Sequence, residues 1–210
     1  MSEQKIIVLK EGTRVDKFED GVKISRAICS SIVLIKDAGH NILVDPGARG
    51  YAGELLRGLE KHGFAPSDID IVVNTHTHLD HTFNNFLFDK ATIYTPAGLW
   101  PPEKDQVFIY GDITRATIPC VELINTPGHT SKHVSVVGES NGKTIVAAGD
   151  AVRESIIDEG VLPDKYENKQ SYLESMKKIF EIADVIIPGH GKVIEGEHLT
   201  ELKNKLDDMK

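Results

Sequence analysis

The chain has 210 residues, which is long enough to bury a substantial core without the disulfides or structural metals that very small domains need. Its 24 lysines and arginines against 32 aspartates and glutamates give a formal net charge of −8, which argues against broad binding to a polynucleotide backbone. Its apolar runs are too short for a membrane-spanning helix or a secretory signal. We therefore expect a cytoplasmic protein that binds no membrane and folds as a single domain over residues 1–210.

Apolar periodicity in the first half of the chain predicts strands and one amphipathic helix. Short β-branched runs indicate strands, and leucines at helical spacing before Gly63 indicate a helix with a glycine stop. The predicted elements are strands at 31–35, 41–44 and 69–73, and a helix over 52–59.

The second half of the chain repeats this pattern. Asn141-Gly142 is the sequence favoured in a type I′ hairpin turn, because both residues tolerate positive φ. Ser171 and Glu174 form a capping-box pattern at the start of a helix. The predicted elements are strands at 121–124, 133–137, 144–148 and 185–187, a helix over 171–183 and a helix over 199–209.

The most specific feature of the sequence is His76-Thr77-His78-Leu79-Asp80-His81, directly after the predicted strand at 69–73. In extended backbone His76 and His78 project to the same side, so both rings can reach one cation. Asp80 and His81 come where the chain turns into a helix, so they project elsewhere and can hold a second cation. This motif therefore predicts two metal ions.

Three further metal-ligand candidates each follow a predicted strand and lie in turn sequences. They are His129 in Thr-Pro-Gly-His-Thr, Asp150 after Gly149, and His190 in Pro-Gly-His-Gly. With the motif they make a nitrogen and oxygen ligand set without cysteine, which suits Zn²⁺, Fe or Mn²⁺. We expect two divalent metal ions, with Zn²⁺ as the first candidate.

The ordered set of His76, His78, Asp80, His81, His129, Asp150 and His190, with Leu43-Val44-Asp45-Pro46-Gly47 upstream, resembles the metallo-β-lactamase superfamily over about residues 25–195. The resemblance implies an α/β (α+β) fold of the αββα type, with two mixed sheets flanked by helices and the metals at the seam between sheet ends. It also implies that His76, His78 and His129 hold one metal, that Asp80, His81 and His190 hold the other, and that Asp150 bridges them.

Differences from the superfamily pattern bear on the substrate. Asp150 stands where true β-lactamases often carry a zinc-binding cysteine. An aspartate at this position is similar to hydroxyacylglutathione hydrolases and lactonases, and it argues against antibiotic hydrolysis. Phe83 stands where relatives commonly carry glycine. Residues 74–88, 134–154 and 183–191 also resemble small metallo-β-lactamase-domain proteins that include an RNA-processing nuclease.

The resulting prediction is a dinuclear metal-dependent hydrolase, in which water shared by two cations attacks a small ester, thioester or lactone. Asp80 is the candidate for orienting this water or carrying its proton, and Asp45 for fixing a histidine through the ring nitrogen that does not touch metal. The alternatives are a metal-dependent nuclease or phosphodiesterase, a mononuclear-iron persulfide oxygenase and a non-enzymatic metal-binding protein. A small molecule is the expected partner, nucleic acid comes second, and the sequence leaves the oligomeric state open, a homodimer included.

Other residues receive weaker assignments. Tyr166, Phe83 and Trp100 are candidate substrate contacts, whereas Tyr172 lies on the apolar face of its predicted helix. His40, His62 and His198 are expected to face solvent, and His133 to be structural. Cys29 and Cys120 are expected to be buried and reduced. Lys104, Arg115, Lys132 and Arg153 are candidate anion contacts, although each is typical of a solvated surface charge.

Overall fold

Two mixed β-sheets form the centre of the structure, a computed structural model that describes residues 4–20, 22–37, 39–102, 107–163 and 166–209. The strands are β1 Lys5–Lys10, β2 Thr13–Glu19, β3 Val22–Cys29, β4 Ile32–Asp37, β5 His40–Val44, β6 Ile71–Val73, β7 Thr92–Thr95, β8 Gly98–Trp100, β9 Glu122–Asn125, β10 Val134–Ser140, β11 Lys143–Gly149, β12 Val185–Pro188 and β13 Ile194–Glu195. The α-helices are α1 Ala52–Lys61, α2 Leu79–Thr82, α3 Glu154–Glu159, α4 Lys169–Ile182 and α5 Gly196–Asp207.

The first sheet has the order β1-β4-β5-β6-β7-β8, and the second has the order β13-β12-β11-β10-β9. Both sheets are mixed, because β5-β6-β7 and β11-β12 pair in parallel and the other neighbours pair antiparallel. Strands β2 and β3 pair only with each other and form a hairpin beside the two sheets.

Successive side chains along each strand face opposite sides of the sheet, and their contacts show which layers pack together. In β4, Val33 and Ile35 point into an apolar core between the sheets, whereas Ile32 and Leu34 pack with Leu55 of α1 on the outer face. The second sheet is built in the same way, with its outer face covered by α3, α4 and α5. Because both faces of each sheet are buried, the central strands β6 and β12 are short continuous apolar runs. The result is the expected αββα sandwich of two mixed sheets flanked by helices.

Most predicted elements are present with shifted ends, and one cap prediction is wrong. The predicted strand at 69–73 begins as β6 at Ile71, because a short 3₁₀ helix at Pro66–Asp68 precedes it. Asn141 and Gly142 have φ of 54° and 69° at the β10-β11 turn, as predicted. Helix α4 is capped by Asn168 instead of Ser171, because the Asn168 side chain accepts a hydrogen bond from the Ser171 backbone N–H at 2.8 Å.

Several strands and one helix are absent from the sequence prediction: β1, β2, β3, β7, β8, β13 and α3. Cys29 is buried as expected, but Cys120 is partly exposed, and both are free thiols. None of the helices within the described residues combines the length and apolar content needed to cross a bilayer.

Candidate metal centre

The His76-to-His81 motif lies where β6 reaches the seam between the sheets. The chain beyond β6 stays buried through His76, and the Val134 N–H donates to the Thr75 carbonyl, which ties this loop to the second sheet. Helix α2 then begins after His78 and carries Asp80 and His81. The extended stretch and the short helix therefore direct the four predicted ligands into two groups.

The first group consists of His76, His78 and His129, whose ligand atoms lie within 4.8 Å of one another. His78 Nδ1 is 2.9 Å from His76 Nε2 and 3.1 Å from His129 Nε2. A single proton on His78 Nδ1 cannot make a good hydrogen bond in both contacts, whereas a cation accepts three nitrogen lone pairs.

The second group consists of Asp80, His81 and His190. Asp80 Oδ2 is 3.1 Å from His190 Nε2 and 3.8 Å from His81 Nε2. Asp150 lies between the two groups, because its Oδ1 is 3.2 Å from His81 Nε2 and its Oδ2 is 3.3 Å from His129 Nε2. The structure thus brings all seven predicted ligands together.

Asp45 orients two histidines of this cluster, His81 directly and His76 through Thr75. Its carboxylate accepts hydrogen bonds from the Thr75 N–H at 2.8 Å and the Thr75 hydroxyl at 2.7 Å, and it lies 2.8 Å from His81 Nδ1. His81 therefore donates through Nδ1 and directs the Nε2 lone pair at the cluster. Since the Thr75 hydroxyl donates to Asp45, its oxygen accepts from His76 Nδ1 at 3.1 Å, which directs His76 Nε2 inward as well.

The β2-β3 hairpin orients the last ligand of the chain. His190 Nδ1 lies 3.2 Å from the Thr13 carbonyl oxygen and 3.1 Å from the Cys29 carbonyl oxygen, and these two residues are paired at the open end of the hairpin. Because a carbonyl oxygen only accepts, Nδ1 carries the proton and Nε2 presents its lone pair to Asp80. Backbone groups thus hold His190, as the carboxylate of Asp45 holds His81.

His133 has the structural environment that the sequence predicts. It is buried, and a chain of hydrogen bonds fixes its proton: the Ser135 hydroxyl donates to the Ala148 carbonyl, the Thr126 hydroxyl donates to Ser135, and His133 Nδ1 donates to Thr126 at 2.9 Å. Its ring stacks on that of His76 at 5.1 Å. Burial lowers the pKa of His133 to about 3, so the ring is neutral and supports His76 by packing.

The buried polar atoms of the cluster fit divalent cations. His81 Nε2, His190 Nε2 and Asp150 Oδ1 are buried and make no hydrogen bond to any residue that the structure describes. Unpaired buried polar atoms are costly unless a ligand satisfies them, and imidazole and carboxylate are donors that Zn²⁺, Fe and Mn²⁺ accept. The cluster can therefore hold such ions.

Charge coupling in the cluster is strong. Burial alone would raise the pKa of Asp150, but His81 and His190 hold it well below its usual range. Burial alone would lower the pKa of His81, but the carboxylates of Asp45 and Asp150 raise it well above its usual range. Metal binding at His81 therefore has to displace a proton.

A cavity of about 500 Å³ opens onto the metal-ligand cluster. Its walls carry the apolar side chains of Ile28 and Leu79, and the polar residues Thr130, Glu167 and Arg14. This volume and mixed lining are typical of a small-molecule site.

The three predicted substrate contacts lie in different places. Tyr166 lines the cavity, with its ring edge-on to His129 at 4.9 Å. Phe83 does not line it and instead packs under Arg49 at 5.7 Å, and Trp100 lies on edge strand β8 with 41% of its surface exposed. The structure therefore does not place Phe83 or Trp100 at the cavity.

Several other residues named in the sequence analysis lie away from the cavity, and two residues of the cavity wall were not predicted. Lys104 lies outside the described residues. His62 is exposed and His198 contacts Glu154 at 3.0 Å, whereas His40 contacts Asp70 at 2.5 Å and is only partly exposed. Arg14 and Ile28, both on the β2-β3 hairpin, line the cavity but are absent from the sequence prediction. No motif marks them, and only the pairing of the hairpin brings them to the site.

Comparison with known proteins gives consistent results. The family model described as metallo-beta-lactamase superfamily matches residues 27–104. A probable metallo-hydrolase of Methanocaldococcus jannaschii is 33% identical over 161 residues, 75% of this chain and 74% of the relative. Metallo-beta-lactamase domain-containing protein 1 of Xenopus laevis is 34% identical over 176 residues, 78% and 73% of the two chains. A crystal structure of a Thermotoga maritima metallo-beta-lactamase candidate has a TM-score of 0.69 at 22% identity, covering 93% of this chain and 100% of the other, which shows a shared fold.

Proposed function

This chain belongs to the metallo-β-lactamase superfamily of metal-dependent hydrolases, and we propose that it is a dinuclear enzyme that cleaves a small ester, thioester or lactone. The position of Asp150 carries the proposal of two metals. Its carboxylate lies within 3.3 Å of a ring nitrogen in each ligand group, 3.2 Å from His81 and 3.3 Å from His129. A carboxylate shared in this way is suited to bridging two cations.

In this proposal His76, His78 and His129 hold one cation, Asp80, His81 and His190 hold the other, and Asp150 serves both. Zn²⁺ is the first candidate, since the ligands are nitrogen and oxygen atoms without a thiolate. Bound cations of this kind lower the pKa of water toward neutrality and polarise the scissile carbonyl oxygen.

Asp80 is the proposed proton carrier. One of its oxygens, Oδ2, faces His190, and the carboxylate lines the cavity with 15% of the side chain exposed. Its other oxygen can accept a proton from water that adds to the carbonyl carbon and return it to the departing alcohol or thiol. The pKa of Asp80 is lowered because His190 and His81 outweigh its burial, which keeps it in the accepting form near neutral pH.

A small substrate is favoured over a polynucleotide. The cavity holds about 500 Å³, and its walls carry the acidic residue Glu167 as well as Arg14, so no extended basic groove leads to the cluster within the described residues. Tyr166 packs against His129 at the wall, where we propose that it contacts the substrate.

Metal analysis and a substrate panel test the proposal. Protein loaded with Zn²⁺, Mn²⁺ or Fe²⁺ is assayed against thioesters, lactones and phosphodiesters, and bound metal is counted per chain. We expect two metals, hydrolysis of an acyl substrate, and loss of the paired site in Asp150→Ala. Asp184→Ala is the control, because Asp184 accepts a hydrogen bond from the Thr144 N–H at 2.9 Å at the end of β11 that lies away from the ligand cluster.

Three outcomes would contradict this proposal. Cleavage of phosphodiesters alone would indicate a nuclease, and one iron per chain would indicate a mononuclear oxygenase. Unchanged metal content and rate in Asp150→Ala would remove Asp150 from the ligand set.

A further inference from the structure

The β2-β3 hairpin brings a guanidinium group to the wall of the cavity at the metal-ligand cluster. Arg14 lies on β2, and only 12% of its side chain is exposed. It lines this cavity together with Ile28 of β3, and it also lines a neighbouring cavity of about 500 Å³ that reaches His190. Arg14 therefore stands at the junction of two cavities beside the metal-ligand cluster.

Arg14 is held in place by its own hairpin. Its Nε donates to Asp16 Oδ1 at 2.9 Å, and its Nη2 donates to Ser25 Oγ at 3.3 Å. Ser25 in turn donates to Asp16 Oδ1 at 2.7 Å. These contacts fix the plane of the guanidinium, while Nη1 makes no hydrogen bond to a described residue. A rigid arginine with an available N–H group is suited to binding an oxyanion.

Arg14 and Arg153 share a single carboxylate partner. Asp16 is shared, because its Oδ2 also accepts from Arg153 Nη2 at 3.3 Å, so two guanidinium groups face one carboxylate. Arg153 lines the neighbouring cavity and is largely buried, with 23% of its side chain exposed. The acidic residues of that cavity have their own partners: Glu154 contacts His198 at 3.0 Å, and Asp158 contacts Lys205 at 2.7 Å.

The remaining acidic group of the first cavity is also engaged. Glu167 accepts a hydrogen bond from the Ser131 N–H, which holds it on the opposite loop. A guanidinium that shares its carboxylate partner with a second arginine in a partly buried site interacts more strongly with an anion than one in bulk water does.

We propose that Arg14, aligned by Asp16 and flanked by Arg153, binds an oxyanion group of the substrate, a carboxylate or a phosphate, while the scissile carbonyl lies at the metal-ligand cluster. This inference rests on the proposed hydrolase function and narrows its substrate class to acyl compounds that carry a negative charge. Arg14 is thus a specificity-determining residue supplied by the hairpin.

The test uses matched thioesters whose acyl chains have equal length and end in a methyl group, a carboxylate or a phosphate. The metal-loaded protein is compared with Arg14→Gln, which keeps a polar side chain but removes the charge, and with Arg26→Gln. Arg26 is an exposed arginine on the same hairpin and lines neither cavity, so it controls for loss of charge alone.

We expect the protein to prefer one anionic thioester over the neutral one, and the better of the two identifies the oxyanion. Arg14→Gln should lower kcat/KM for that substrate about tenfold to hundredfold, chiefly through KM, and change the neutral substrate less than about threefold. Arg26→Gln should leave both values unchanged. An equal loss for anionic and neutral substrates, or no loss for either, would overturn the assignment.

A binding measurement separates this inference from the proposed function. Calorimetric titration compares butyrate with glutarate and with 4-phosphonobutyrate, which add a carboxylate or a phosphonate at the far end of the chain. The metal-loaded protein should bind one of these two ligands more tightly than butyrate, with this advantage lost in Arg14→Gln. Failure to hydrolyse any ester, thioester or lactone would overturn the proposed function but not the oxyanion site if this binding difference persists. Equal binding of all three ligands would overturn the oxyanion site whatever the hydrolysis results.

Discussion

Asp45→Asn tests how the cluster is held together, because the substitution changes one atom and little else. Asp45 has a φ of +50°, a conformation that asparagine also adopts readily, so the backbone can remain in place. The carboxylate faces three donors, namely the Thr75 N–H, the Thr75 hydroxyl and His81 Nδ1. An amide offers one accepting oxygen and one NH₂ group in place of two oxygens.

Either orientation of the new amide leaves a conflict. If its NH₂ group faces the Thr75 N–H, two donors meet in a buried site, which costs about 1–3 kcal/mol in the free energy of unfolding. If its NH₂ group faces His81, the His81 ring has to carry its proton on Nε2, the atom that points at the cluster. That tautomer cannot bind a cation, so we expect metal affinity to fall about tenfold to hundredfold.

Metal affinity is measured by competition with a chromogenic chelator, and stability by urea unfolding of the metal-free protein. Asp70→Asn is the matched control, because Asp70 also accepts from a backbone N–H, that of Asn41 at 2.7 Å, and lies 2.5 Å from a histidine, His40, but belongs to neither ligand group. Both variants should lose stability, and only Asp45→Asn should lose metal affinity. Unchanged affinity in Asp45→Asn, or an equal loss in both variants, would refute the reasoning.

Three further predictions concern metal removal, pH and the His129 loop. A chelator should abolish hydrolysis, and adding metal at one hundred times its dissociation constant should raise the free energy of unfolding by about 2.7 kcal/mol for each metal site that is filled, measured in urea. Because Asp45 and Asp150 outweigh burial and raise the pKa of His81, the protonated ring stabilises the metal-free protein below that pKa, and this contribution is lost as pH rises through it. Metal affinity should therefore rise about tenfold per pH unit below that pKa. A metal affinity that does not change from about pH 6 to 8 in chelator competition would contradict the upward shift of the His81 pKa. Gly128→Ala should destabilise the protein by about 3 kcal/mol, since an added Cβ would lie 2.3 Å from the Tyr172 backbone, whereas Gly142→Ala, with open space around it, should cost about 1 kcal/mol in the same urea assay.

The His76-to-His81 part of the ligand cluster could be predicted from sequence because neighbouring residues determine where its side chains point. His76 and His78 alternate in extended backbone, and Asp80 and His81 follow at a helix start, so a few adjacent residues determine their directions. The parallel strands β5, β6, β11 and β12 could also be predicted, since burial on both faces favours apolar runs, whereas the parallel strand β7, with the sequence TIYT, lacks such a run.

The hairpin could not be read in this way. Val15 and Val22 are 59% and 60% exposed, so β2 and β3 lack the buried apolar face that reveals a strand in sequence. Arg14 consequently carries no sequence signal, although it reaches the cavity.

The structure places Phe83 and Trp100 away from the cavity, because nearness in sequence does not fix the direction of a side chain. Phe83 follows His81 by two residues, and in helical backbone that step turns a side chain about 200° away. Trp100 is on β8, two strands from β6 in the sheet order, which is about 10 Å at ordinary strand spacing.

The hydrogen bonds between the β2-β3 hairpin and His190 bear on the order of folding. The Thr13 and Cys29 carbonyls that hold His190 lie 177 and 161 residues before it in the chain. Contacts of such separation pay a large loop-closure entropy and form after local structure has condensed around them. We therefore expect the complete ligand set to form only after the two ends of the chain have met, so that cation binding would stabilise the folded molecule and would not start its folding.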